Sequence, residues 1–171
     1  MNNDIPFSSR IKLLPLSRDE MFLYIKDDNE LTDKLSLNPG KRVISRGLLN
    51  SFKDPILKYI DENPDYVLFA VIWLVIDSRL NRITGHFHFK GNPDKDGMTE
   101  IGYRIYDEFQ NNGYATEALG LIIQWAFSDE NVKIINAFTE INNFASQKVL
   151  EKCGFKIYNK SESEIEWRKM K

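Results

Sequence analysis

Gln110-Asn-Asn-Gly-Tyr-Ala-Thr-Glu-Ala-Leu119 is where the chain changes its period. Upstream, Met98 to Tyr106 alternates like a strand, with Ile101, Tyr103 and Ile105 on one side and Glu100, Gly102 and Arg104 on the other. Downstream, Ala115, Ala118, Leu119, Ile122 and Ala126 form the apolar face of a helix running from Gly113 to about Phe127. A small-residue turn entering a helix leaves several backbone N–H groups without partners, and the helix dipole adds positive potential there. Such a turn is either a plain glycine turn or a seat for phosphate or pyrophosphate. It is not a nucleoside-triphosphate loop, because the Gly-Lys-Ser/Thr ending is absent, and no Rossmann pattern follows the strand.

Working outward, Tyr66 to Ile76, Arg82 to Lys90 and Met98 to Tyr106 read as three strands. Their connections, Asp77 to Asn81 and Gly91 to Gly97, have turn composition and predict an antiparallel meander. The apolar run Tyr66 to Ile76 predicts a strand buried on both faces. Arg10 to Leu16 suits an opening strand, Ser17-Arg-Asp-Glu20 begins a helix to about Lys26, and Val43 to Ile60 predicts a helix interrupted near Pro55. Beyond the turn come a strand over Lys133 to Phe138 and a helix over Asn143 to Cys153, stopped by Gly154 with Phe155 folding back. Phe155 to Tyr158 and Ile165 to Met170 supply the last strands. The expected fold class is α+β: a central mixed, mostly antiparallel sheet of about six to seven strands with helices on both faces, in one domain over residues 1–171.

Composition narrows the function classes. Lys+Arg 23 against Asp+Glu 25 leaves a net charge of -2, so neither nucleic acid nor an anionic membrane is an expected partner. Cys153 is the only cysteine, which excludes an intramolecular disulfide, and with two histidines it cannot build a Cys-rich zinc site, so no metal is expected. Met1-Asn-Asn-Asp-Ile-Pro6 lacks the basic start and apolar stretch of a secretory signal, and Tyr66 to Ile76 is too short to span a bilayer. A cytoplasmic location is expected. An exposed final strand could pair with a second copy, yet the charges between Ser161 and Lys169 suit a protected sheet edge, so the expectation is a monomer or homodimer.

On these residues the chain resembles the GNAT superfamily of N-acetyltransferases, whose acyl-CoA motif is Gln/Arg, two variable residues, Gly, one variable residue and Gly/Ala. Gln110, Gly113 and Ala115 match it. Glu100-Ile-Gly-Tyr103, Thr116-Glu-Ala-Leu119, Asn142-Asn-Phe-Ala-Ser146 and Val149-Leu-Glu-Lys-Cys-Gly-Phe155 extend the match over roughly Ile83 to Phe155. Within the superfamily the chain is similar to the branch containing ribosomal-protein N-terminal acetyltransferases. Asn111 and Asn112 depart from the basic or glycine residues often found there. The resemblance implies acetyl-CoA as co-substrate, its pyrophosphate on the amides of Gln110, Asn111, Asn112, Gly113, Tyr114 and Ala115, with Thr116 beside them. It implies a pantetheine arm along the strand that ends near Ile105, admitted where the strand from Lys133 splays away. Asn142 and Asn143 are candidates to bond the same ligand, and Asn143 is also placed to cap its helix.

Transfer to an amine needs a neutral nucleophile, and Glu100 is the candidate base. The competing reading is a strand carboxylate, solvated or paired with Arg104. His86 and His88 share a strand face, and the hairpin is expected to set His88 roughly opposite Glu100, where an imidazole could hold the carboxylate ionised or relay a proton through water. Otherwise they are two ordinary strand histidines. Ser146 is implied as the group returning a proton to the CoA thiolate, against the alternative that it bonds local backbone. Lys148 and Lys152 either approach phosphates or form a solvated face, while Cys153, at the negative end of a helix, is a poor nucleophile. Trp73, Trp125 and Trp167 read as core or interface residues.

The implied function is acetyl transfer from acetyl-CoA to a primary amine by direct attack in a ternary complex. The acceptor is a protein N-terminus, a polyamine or another small amine, selected by Val43 to Ile60 and the loops before Tyr66. Two rivals are a non-catalytic acyl-CoA-binding module on the same fold and a structural protein whose glycine turn is incidental.

Overall fold

The computed structural model describes residues 5–26, 29–42, 44, 48–49 and 68–171. The expected helix over Val43 to Ile60 therefore lies almost wholly outside the described residues. Seven strands form one sheet: β1 (Ile11–Pro15), β2 (Ile72–Asp77), β3 (Arg82–Phe89), β4 (Met98–Ile105), β5 (Ile134–Glu140), β6 (Lys156–Lys160) and β7 (Glu164–Met170). Their order across the sheet is β1-β2-β3-β4-β5-β7-β6, antiparallel everywhere except between β4 and β5. Among the described residues the helices are α1 (Arg18–Ile25), α2 (Glu30–Lys34), α3 (Tyr114–Phe127) and α4 (Phe144–Lys152). The fold is the expected mixed, mostly antiparallel α+β sheet.

Both faces of the sheet are covered over β2, which explains why all six of its residues are buried. On one face α3 packs Trp125 4.6 Å from Trp73 and 5.2 Å from Phe69, ring centre to ring centre. Ala118, Leu119, Ile122 and Ala126 on that helix are fully buried, and each Leu or Ile so removed from water contributes roughly 1.5–3 kcal/mol. On the other face α1 buries Tyr24 against His86 of β3.

The helix ends follow local chemistry. Ser17 caps α1 through a reciprocal capping box with Glu20. At the far end of α4, Gly154 takes a left-handed φ of 83°, its N–H donates to Glu151 O, and the Phe155 N–H donates to Leu150 O. That is a complete Schellman stop, with Leu150 and Phe155 both buried behind it.

Two expectations need correction, and one element had no expectation at all. β2 begins at Ile72, because the chain from Leu68 makes a short turn whose carbonyl accepts from the Trp73 indole N–H at 2.9 Å. α2, five residues long, gives too short a periodic signal to read from sequence. The final strand is not the exposed edge: β7 lies between β5 and β6, and the edge is β6, all five residues of which are exposed. A chain that ends on a hairpin can insert its last strand inside the sheet, and strand composition alone does not distinguish the two.

Candidate active site

β4 and β5 are paired only where Met98, Thr99 and Glu100 meet Ile134, Ile135 and Asn136. Beyond Glu100 the two strands part, because β5 pairs with β7 along all seven of its residues and follows it away. Glu100 O accepts from the Lys90 N–H and the Tyr106 N–H donates to Thr84 O, both at 2.9 Å, so the even-numbered residues of β4 bond toward β3. The odd-numbered residues therefore bond toward β5 while the ladder lasts, which takes up Ile101 beside Asn136, and the backbones of Tyr103 and Ile105 face the opening. This is an open strand edge two alternate residues long.

The opening leads to the loop before α3. A short 3-10 turn, Asp107–Phe109, is followed by Asn111 at φ 60° and Gly113 at φ 79°, both left-handed, a conformation that Gly and Asn tolerate best. α3 has no side-chain cap, unlike α1 and α4. Among the described residues, no protein group accepts from the N–H groups of Asn111, Asn112, Gly113, Tyr114, Ala115 or Thr116. The Gln110 N–H is already engaged by Asp107 O at 3.3 Å, and its side chain turns back to Ile105 O at 3.1 Å and Asp107 Oδ1 at 3.0 Å. Gln110 thus braces the loop, and the outward row of donors starts at Asn111. The Asn112 side chain donates to Gln110 O at 2.8 Å and stiffens the same turn.

Glu100, Gly102 and Arg104 share a face of β4, as expected, with His86, His88 and Lys90 beside them. The register differs from expectation by one cross-strand pair. His88 is opposite Gly102, and Lys90 forms the ion pair with Glu100. The hairpin loop sets this register, since Asp94 Oδ1 accepts from the N–H groups of Asp96 and Met98 and closes the turn tightly. Arg104 does not reach Glu100; its nearest carboxylate is Asp107 at 3.7 Å.

The His88 imidazole lies over Gly102, where a Cβ would come within 2.6 Å of the ring. Burial, then the neighbouring His88 and Arg104, pushes the His86 imidazole down to about 3; burial, then Lys90, pushes His88 down to about 4. Both are neutral at pH 7, so neither lends Glu100 a positive charge. His86 Nδ1 is instead 2.8 Å from the Tyr24 hydroxyl, itself 2.7 Å from the Tyr106 hydroxyl.

Sequence reasoning missed Asn136, the β5 partner of Glu100. Its Nδ2 donates to Met98 Sδ at 2.9 Å and to Glu166 Oε1 at 3.4 Å, which fixes the amide with Oδ1 left over. Asn136 Oδ1, His88 Nδ1 and Arg104 Nε are all buried without a hydrogen-bond partner. Buried polar atoms are usually matched, and these three unmatched ones lie on β5, β3 and β4, the adjacent strands around Glu100. A polar residue inside an apolar strand, Asn136 between Ile135 and Ala137, was the available signal.

On the opposite sheet face, Ser146 of α4 directs its hydroxyl to the Tyr103 hydroxyl at 2.7 Å. Its N–H takes the cap from Asn143 Oδ1 at 3.1 Å, so the serine side chain is not spent on local backbone. Burial pushes the Tyr103 phenol up to about 12, with the Ser146 bond pulling the other way, and the phenol keeps its proton at neutral pH. Tyr103 was read from sequence only as an apolar-face residue. Glu100 and the Tyr103–Ser146 pair thus stand on opposite faces of β4. Asn142, Lys148 and Lys152 are exposed. Burial pushes the Cys153 thiol up, and its Sγ rests on Thr116 O at 3.5 Å, a packing role. Among the described residues no three His, Cys, Asp or Glu side chains gather as a metal site, and no helix is long and apolar enough to cross a membrane.

Comparison with known proteins adds to this geometry. The family model described as an acetyltransferase (GNAT) domain matches residues 10–156. The uncharacterized N-acetyltransferase YjdG of Bacillus subtilis (strain 168) is 39% identical over 95 residues, 56% of each chain. A second Bacillus subtilis relative, the uncharacterized N-acetyltransferase YoaA, is 30% identical over 50% of this chain and 49% of its own. The matched stretch thus spans about half the length of the curated relatives. Among solved structures, a ribosomal-protein-S5-alanine acetyltransferase from Vibrio fischeri superposes with a TM-score of 0.69 at 18% identity, over 98% of this chain and 97% of that one. At these identities the structural likeness concerns the fold.

Proposed function

The chain belongs to the GNAT acetyltransferase domain family, and from that premise we propose that it transfers an acetyl group from acetyl-CoA to a primary amine by direct attack in a ternary complex. The observation that carries this reading is the continuous run from the open β4 edge into six unengaged amides at the uncapped start of α3. A pantetheine arm can add to the edge like a strand, and a pyrophosphate can take the amides and the positive end of a 14-residue helix. The donor set fits acetyl-CoA, which supplies an acetyl group already activated as a thioester.

The chain's own residues divide the remaining work. The Tyr103 and Ile105 amides of β4 are the donors available to a thioester carbonyl in the opening. Glu100 accepts the proton of the amine; Lys90, now paired with it, marks a place where a cationic nitrogen is already accommodated, and the acceptor ammonium displaces it. Asn136 Oδ1 supplies a second acceptor beside Glu100. Tyr103 and Ser146 deliver a proton to the departing thiolate from the other face. Asn143 holds the first turn of α4 and with it Ser146.

The acceptor is a protein N-terminus, a polyamine or another small amine; one solved relative, a spermidine N-acetyltransferase from Vibrio cholerae, was crystallised with CoA and spermine, with a TM-score of 0.61 at 16% identity over 95% of this chain and 96% of its own. We place the protein in the cytoplasm as a monomer or homodimer acting through a single domain.

Thermal unfolding with acetyl-CoA, CoA or ATP tests the reading. Ligand at about 100 times its dissociation constant adds roughly 2.7 kcal/mol, a midpoint rise of about 5 to 11 °C for a domain of this size. A rise with acetyl-CoA and none with ATP is expected; no rise at saturating acetyl-CoA removes the proposal.

A further inference from the structure

Arg10, the residue just before β1, grips the loop before α3, and no feature of the acyl-CoA motif calls for this contact. Arg10 Nη1 donates to Asn112 O at 2.9 Å, while Nε and Nη2 donate to Glu117 Oε2 at 3.0 and 2.6 Å. The guanidinium lies 4.5 Å over the Tyr114 ring, and Tyr114 is fixed in turn by its hydroxyl bond to Asp77 at 2.6 Å. Ser8 Oγ donates to the other carboxylate oxygen of Glu117 at 2.6 Å. All three guanidinium nitrogens and both Glu117 oxygens are therefore committed.

Two consequences bear on the row of amides. A trans peptide points its N–H opposite to its C=O. Drawing the Asn112 carbonyl toward β1 turns the Gly113 N–H the other way, to the outward side of the loop. Glu117, moreover, is a carboxylate in the first turn of α3, one helical turn from the same amides, and its charge opposes that of any phosphate placed there. Arg10 cancels that charge at its source.

We propose that Arg10 is a positioning residue for the acetyl-CoA pyrophosphate, setting the Gly113 amide and masking Glu117. The inference rests on the acetyl-CoA reading above and goes beyond it, since it assigns part of the phosphate site to a residue far outside the motif.

The test is titration calorimetry of acetyl-CoA against the intact chain, Arg10→Met, Arg10→Lys, Glu117→Gln and the Arg10→Met/Glu117→Gln double variant, with the unfolding midpoint of each. Arg10→Met is expected to weaken acetyl-CoA binding about 10- to 30-fold, the scale of one unmasked charge several ångströms from a phosphate. Arg10→Lys, with charge but no fork, falls between. Glu117→Gln breaks the same ion pair, yet binds acetyl-CoA as well as the intact chain or better, and in the double variant much of the lost affinity returns. A purely structural clamp gives the opposite pattern, with Glu117→Gln as harmful as Arg10→Met and no recovery in the double variant. That result overturns the inference, as does an Arg10→Met or Arg10→Lys variant with unchanged affinity. If the intact chain itself binds no acetyl-CoA, the acetyl-CoA reading fails first and the inference with it. If Arg10→Met does not fold, Arg10→Lys and Glu117→Gln decide by the same criterion.

Discussion

Glu100 is tied to Lys90, and that pair makes its role measurable. Glu100→Gln keeps the shape of the side chain and removes its ability to take a proton. Turnover should fall about 10²- to 10⁴-fold while acetyl-CoA affinity stays within about twofold, as read by steady-state kinetics and calorimetry. An equal loss of acetyl-CoA affinity would make Glu100 a structural residue. His86 carries a second prediction. Its folded pKa of about 3 lies below the ordinary 6.5, so between these values the unfolded chain binds the extra proton and folding is penalised. The stability from a neutral His86 is whole above pH 6.5 and declines as pH falls toward 3. About 2 kcal/mol should be gone by pH 5, and His86→Gln should flatten that part of the Tm against pH profile. Glu100 and Ser146 were nameable as candidates from the family resemblance, and they lie on the strand and the helix expected for them. Their partners Lys90, Tyr103 and Asn136 were not legible, because cross-strand register and helix docking choose them.

Among the elements, those with chemical punctuation were read best. α1 begins at the capping serine and α4 ends at its glycine, within a residue of expectation. α2 and the start of β2 carry no such marks and were missed. The Schellman stop also has a mechanical duty, since it sets where α4 ends and so how Ser146 meets Tyr103. Gly154→Ala places a side chain at φ 83°, which should cost about 1–2 kcal/mol and lower the midpoint by about 2 to 8 °C. Its Cβ meets only the flexible end of Lys169, so the cost is conformational rather than steric. An unchanged midpoint would mean that α4 is held by its packing alone.

For the molecule as a whole, the α+β class and the meander were legible because hydrophobic period and short turns dictate them. The interior place of β7 was not, because it depends on which way a terminal hairpin folds. The edge so created at β6 carries Lys156 and Lys160, the kind of charge that discourages further strand pairing.

The three-pair ladder between β4 and β5 makes the sheet, in mechanical terms, two leaves joined by a short spine. Each leaf is well knit within itself, so the compliance of the protein is concentrated along one line. A ligand arm bonded to the β4 margin stitches the leaves together, and amide hydrogen exchange at Tyr103 and Ile105 should slow when acetyl-CoA is added, with little change in β2. Loading would then come before recognition: the acceptor meets a finished surface only after the seam has been closed by the acetyl donor.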